Sequence, residues 1–293
     1  MKRGAFVAGA LASGACARGA SARPAFKPAF NLIGVAHEIP ATTGFVVRTM
    51  GNGPPVAALR AHEQFPAASV IKLAIMTTVY RAYDAGTAHP RDLVRTRAVD
   101  LIGGSDVLAG SPAGRAWSID ALVKAMIHVS DNAASNTLIT AFGIHQINAV
   151  MQTAGMTSSR LGRHFADVVP SWKRSENVIT PADVATLLFQ IERGAREGIP
   201  TIASPRSCRA MIDVMLGNDD GTKIVRGLPR GTPCAHKTGE IDGTRNDAGI
   251  VDPLGDVPYV IVVLTRNVRD NEAANAGIGA ITRRVDTVLR KGG

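Results

Sequence analysis

The sequence predicts an α+β fold: one antiparallel sheet flanked by helices, with an all-α lobe inserted between its strands. Three observations predict it. Strand-like runs gather near both ends of the chain, at 43–62 and 234–265. Apolar residues at helical spacing fill the middle, from about 65 to 215. A final segment, 272–290, closes the chain as a helix.

The elements follow in order. Residues 43–50 read as a strand, and Gly51-Asn52-Gly53 turns into a second over 56–62. Ser69 opens an apolar helix that runs to Tyr83 and stops at Asp84-Ala85-Gly86. Ser118-Ile119-Asp120 resembles a cap for a helix over 121–128, and 133–142 forms another that ends at Gly143. Thr180-Pro181 starts a helix through Glu192, with proline in its first turn, and Ser204-Pro205 starts one through Leu216. Strands return from Cys234: one into Lys237, one over 248–251 and one over 259–265. The sheet is thus assembled from about 40–64 and 230–293, and residues 23–293 read as a single catalytic domain.

Residues 1–22 look like an export signal. Lys2 and Arg3 precede a short apolar run, 5–15, and Ala20-Ser21-Ala22 fits a small-residue cleavage site. The expected location is therefore periplasmic or secreted. Cys16 offers a lipid attachment point, but Ser13 stands where a larger apolar residue is expected, so plain cleavage is the favoured reading. Beyond the signal only Cys208 and Cys234 remain, which leaves one disulfide or two buried thiols open. No run of 18 apolar residues follows the N-terminal segment, so no transmembrane span is expected. The net charge of +9 comes from scattered Lys and Arg, and aromatics make up only 4%, which argues against a nucleic-acid partner. Zinc-binding patterns, a G-x-S-x-G elbow and nucleotide-binding glycine motifs are all missing, so neither a metal nor an organic cofactor is implied. The expected working unit is a monomer.

Three short motifs carry the chemistry: Ser69-Val70-Ile71-Lys72, Ser130-Asp131-Asn132 and Lys237-Thr238-Gly239. With 14 serines and 8 lysines in 293 residues, a Ser-x-x-Lys alone is expected roughly 0.4 times by chance. All three together, in this order, are expected less than about once in a thousand such chains. Ser69 at a helix start has free backbone N–H groups beside it, suited to a developing oxyanion. Lys72 lies one turn on, where a lysine kept neutral by burial and by a second cation such as Lys237 accepts the serine proton. Ser130 can relay a proton to a leaving nitrogen, Asn132 can donate to a substrate carbonyl, and Asp131 ties the loop to backbone. Lys237 and Thr238 suit a substrate carboxylate, Gly239 permits close backbone approach, and Arg245 is a second carboxylate contact across the hairpin. His236, beside Lys237, has a structural role.

At these residues the chain resembles the class A β-lactamase family, among the penicillin-recognising serine enzymes. The likeness covers roughly residues 30–290, including Phe65-Pro66-Ala67-Ala68-Ser69, Val129 before the second motif, Thr180-Pro181, and Asn246-Asp247 after the third. The resemblance implies a five-stranded antiparallel sheet against a helical lobe, an active site at their junction, and an acyl-enzyme on Ser69. One loop departs from it. The family carries a Glu-x-x-Leu-Asn motif there, whose glutamate drives the hydrolytic water; Phe165 stands in the glutamate's place and Val169 in the asparagine's. Asp167 and Glu176 are candidate substitutes at non-matching positions. The leading expectation is therefore a β-lactamase-like serine hydrolase acting on small β-lactams. The alternatives are a D-alanyl-D-alanine peptidase or penicillin-binding protein with slow deacylation, and a non-catalytic envelope binder or sensor.

Overall fold

The computed structural model describes residues 32–104, 107, 108, 110–165 and 176–291. The expected export signal, Cys16, Asp167 and Val169 lie outside the described residues. A short helix α1 (Leu32–Glu38) leads into β1 (Thr42–Thr49), β2 (Ala57–Leu59) and β3 (Phe65–Pro66). Next come α2 (Lys72–Asp84), a ribbon of β4 (Leu93–Arg95) and β5 (Ala116–Ser118), α3 (Ile119–His128), α4 (Asn132–Phe142) and α5 (Ile144–Thr153). The middle ends with β6 (Val178–Ile179), α6 (Pro181–Glu197) and α7 (Pro205–Leu216). Then β7 (Cys234–Ile241), β8 (Thr244–Val251), β9 (Tyr259–Arg266) and α8 (Asn271–Lys291) complete the fold.

Five strands form one antiparallel sheet in the order β2-β1-β9-β8-β7. β1 pairs with β9 along its full length, from Thr42↔Arg266 to Thr49↔Tyr259, so the sheet joins both ends of the chain as expected. Side chains alternate across it. Val260, Val262 and Leu264 of β9 pack into the helical cluster, while Tyr259, Ile261 and Val263 pack against α1 and α8. Both faces are covered, which is why β9 reads as an unbroken apolar run. Each such large aliphatic side chain, fully buried, contributes roughly 1.5–3 kcal/mol. At the heart of the helical lobe lies α2, with Leu73, Ile75, Met76 and Val79 all buried. A helix surrounded on every side is a rigid base for a residue at its first turn.

The structure departs from the sequence expectation in several places, of which these bear on the site and the sheet. Ser69 sits in a 3-10 turn, Ala68–Ile71, and the α-helix proper begins at Lys72. The second strand is shorter than 56–62, because Arg60 takes a left-handed φ of 46° and turns the chain. Lys237 lies in the middle of an eight-residue strand and not at a strand end. Helices α1 and α5 were not anticipated. Cys208 and Cys234 are free buried thiols; one belongs to the helical cluster and the other to the α1–α8 cluster, on opposite faces of the sheet. Among the described residues, no helix is long and apolar enough to cross a membrane.

Candidate active site

The three motifs converge between the sheet and the helical lobe. The turn holding Ser69 packs against β7, and the approach is close: a Cβ on Gly239 would lie 3.0 Å from the Ser69 amide nitrogen and 3.1 Å from that of Val70. Only glycine lets the strand lie so near the amides that face it. Ala68, just before the serine, holds a positive φ of 44°, and Ser130 one of 60°. Strained non-glycine backbone of this kind persists where surrounding structure imposes it, and clusters at functional sites. For Ser130 the cause is visible. The chain must turn sharply between the end of α3 and the start of α4. Asp131 clamps that turn: its carboxylate caps α4 by accepting from the Ala134 amide at 2.8 Å and also accepts from the Val107 and Leu108 amides, both at 2.9 Å.

Lys72 is fully buried. Its Nζ donates to the Ser130 carbonyl at 2.6 Å, to Ser130 Oγ at 3.1 Å and to Asn132 Oδ1 at 3.0 Å. Burial pushes its pKa well below the ordinary lysine value, the Lys237 charge pushes the same way, and Asp131 opposes both in part. Lys237 is also buried, donates to the Thr238 carbonyl at 3.0 Å, and is lowered to about 8 by burial, against the opposing pull of Asp247 and Asp220. Two lysines with lowered pKa values thus sit at one place. Behind Lys237, His236 Nδ1 and Asp247 Oδ1 form a buried pair 3.0 Å apart, consistent with a structural histidine.

A cleft of about 300 Å³ is lined by Ser69, Ser130, Asn132, Lys237, Thr238 and Glu240, among others. Arg245 does not line it. Its guanidinium donates to the Ile241 and Thr244 carbonyls at 3.0 and 2.7 Å, and its Nε lies 4.0 Å from Glu240 Oε1. On the other side, Phe165 covers the lysine: the Lys72 ammonium is 4.7 Å from its ring centroid. Asn136 holds the Phe165 backbone at two points, accepting from its N–H at 2.8 Å and donating to its carbonyl at 3.2 Å. Glu176 is engaged elsewhere, 3.0 Å from Arg163 Nη2 and more than half exposed.

Two contributors went unread in the sequence. Asn136 sits four residues after Asn132 on α4, one turn along the same face, and that spacing is a legible signal. Lys223 is fully buried and bonds Glu240 Oε1 at 2.6 Å and Asp220 Oδ2 at 2.8 Å. Nothing in the local sequence announces it, because the contact joins the segment before β7 to the strand itself.

Sheet, lobe and cleft define a β-lactamase-like serine hydrolase fold. The model of the Beta-lactamase enzyme family matches residues 29–289, and the chain belongs to that family. Among solved structures, a β-lactamase from Sphaerobacter thermophilus is 31% identical, with a TM-score of 0.78 over 88% of this chain and 96% of that one. PBP-A is similar at 26% identity and a TM-score of 0.78, covering 89% and 96%. An ancestral class A β-lactamase is 26% identical at a TM-score of 0.76, covering 88% and 98%.

Proposed function

We propose that this protein is an exported serine acyl-transfer enzyme that opens β-lactams onto Ser69 and releases the acyl group slowly. One observation carries the reading: buried Lys72, its charge suppressed, is hydrogen-bonded to Ser130 and Asn132 in the cleft that Ser69 lines. Ser69 Oγ attacks the lactam carbonyl and passes its proton to neutral Lys72. The carbonyl oxygen gathers charge against the backbone amides of Ser69 and Glu240. As the C–N bond breaks, Ser130 gives its proton to the ring nitrogen and recovers one from Lys72, so the protons balance. Asn132 takes the substrate's amide carbonyl, and Lys237 with Thr238 holds its carboxylate.

The second half-reaction needs a base that activates water. At the position expected for that base, Phe165 presents an apolar ring to Lys72, and Glu176 is paired with Arg163. This favours a penicillin-binding protein or D-alanyl-D-alanine peptidase over a fast β-lactamase. Export is part of the reading and rests on Lys2, Arg3 and the apolar run that follows. The test mixes the protein with a chromogenic cephalosporin and follows colour and intact mass together. A stoichiometric burst with a persistent adduct is expected; sustained rapid turnover would make the protein a β-lactamase, and no adduct would make it a binder.

A further inference from the structure

Glu240 directly follows the Lys237-Thr238-Gly239 motif and lines the same cleft as Lys237, Thr238 and Asp220. Its Oε1 stands between two cations. Lys223 Nζ is 2.6 Å away on one side and Arg245 Nε 4.0 Å on the other. Lys223 is fully buried, and its ammonium has three acceptors: Glu240, Asp220 Oδ2 at 2.8 Å and Thr222 Oγ1 at 2.9 Å. Burial alone would depress it, yet its carboxylate partners raise its pKa above the ordinary value, so it stays charged. Arg245 Nη1 donates to the hairpin carbonyls of Ile241 and Thr244. Among the described residues, Lys223 and Arg245 therefore both face Glu240, and Lys223 is shared with Asp220.

We infer that Glu240 acts as a built-in counter-ion that occupies the second-cation position of the carboxylate subsite and thereby sets specificity against anionic substrates. This rests on the proposed acylation at Ser69 and names which substrates that cleft favours. Among the described residues of the cleft, Lys237 and Thr238 remain to hold a substrate carboxylate, and they do so beside the negative charges of Glu240 and Asp220. Substrates with a neutral or cationic group at that end avoid the repulsion. Replacing Glu240 by glutamine keeps an oxygen for Lys223 while removing the charge, so Lys237 and Thr238 hold a ligand carboxylate without that repulsion. A charge-assisted contact of this kind amounts to about a tenfold change in affinity. Because Glu240 is about half exposed, the gain shrinks as salt rises.

The test compares benzylpenicillin with its methyl ester, which differ only in the carboxylate. In otherwise intact protein, E240Q is expected to raise the second-order rate of adduct formation about tenfold for the acid and less than about twofold for the ester. In a Ser69→Ala background, equilibrium binding of the acid, read by ligand-observed NMR, is expected to tighten by the same factor on adding E240Q. E240A serves as a second variant, with thermal melts to show that the fold is kept. Equal effects on acid and ester, or weaker binding of the acid, would overturn the inference. If no adduct forms in any Ser69-intact protein but the Ser69→Ala pair still shows the acid-selective gain, the acylation reading falls and the role of Glu240 stands.

Discussion

Phe165→Glu is the most informative single substitution at this site. Asn136 grips the residue 165 backbone through both N–H and carbonyl, so a new side chain starts from a fixed point. The ring it replaces is centred 4.7 Å from the Lys72 ammonium. A carboxylate at that distance, at an effective dielectric constant of about 20, attracts the charged lysine by about 3.5 kcal/mol, or about 2.6 pH units. Two effects follow with opposite consequences. The lysine becomes harder to deprotonate, so the acid limb of the acylation profile moves up by about two to three pH units. The acyl-enzyme gains a general base for water, a contribution of about 10²–10⁴ in rate. The assay acylates each protein with excess penicillin, removes free drug, and follows loss of the adduct by intact mass. Lifetime is expected to fall by at least about a hundredfold. An unchanged lifetime with an unchanged acylation profile would refute the claim that Phe165 stands where the hydrolytic base must be.

Other outcomes follow from the same geometry. Gly239→Ala puts a methyl 3.0–3.1 Å from the Ser69 and Val70 amides, so β7 must retreat by a few tenths of an ångström; acylation is expected to slow by about ten- to a hundredfold, read by stopped-flow, with little change in melting temperature. Lys237, lowered to about 8, holds a carboxylate only while charged. Acylation by an anionic penicillin is therefore expected to fall as pH rises through about 8, and the methyl ester is expected to lack that limb. The same shift bears on stability. A lysine with a folded pKa of about 8, below its unfolded value of about 10.4, binds fewer protons when folded. Its contribution is fully present above the unfolded value and is lost as pH falls through 8. Relative to Lys237→Met, the intact protein is expected to gain about 2 kcal/mol between pH 8 and 10 in urea titrations; a flat difference would show that Lys237 titrates normally.

The sheet was legible because its strands are buried on both faces and read as continuous apolar runs, as in β9. The motifs of the candidate site were legible because each is local: Ser69 to Lys72 spans one turn, and Ser130 to Asn132 spans one loop. Contacts between distant segments were not. Lys223 reaching Glu240, and Asn136 gripping Phe165, join residues 17 and 29 positions apart. The start of α2 moved for a related reason, since β7 pressed against the Ser69 turn decides whether it is α or 3-10. Arg245 was expected to reach a substrate carboxylate across the hairpin; it stands opposite Glu240 in the register, and its guanidinium turns to the hairpin carbonyls and to Glu240 itself.

The most direct test of the central claim is the site of attachment. The protein is incubated with benzylpenicillin, digested and mapped by tandem mass spectrometry, with Ser69→Ala in parallel. One penicilloyl group on the peptide containing Ser69, absent from Ser69→Ala, is the expected result. A label on any other residue, or a label that survives in Ser69→Ala, would contradict it.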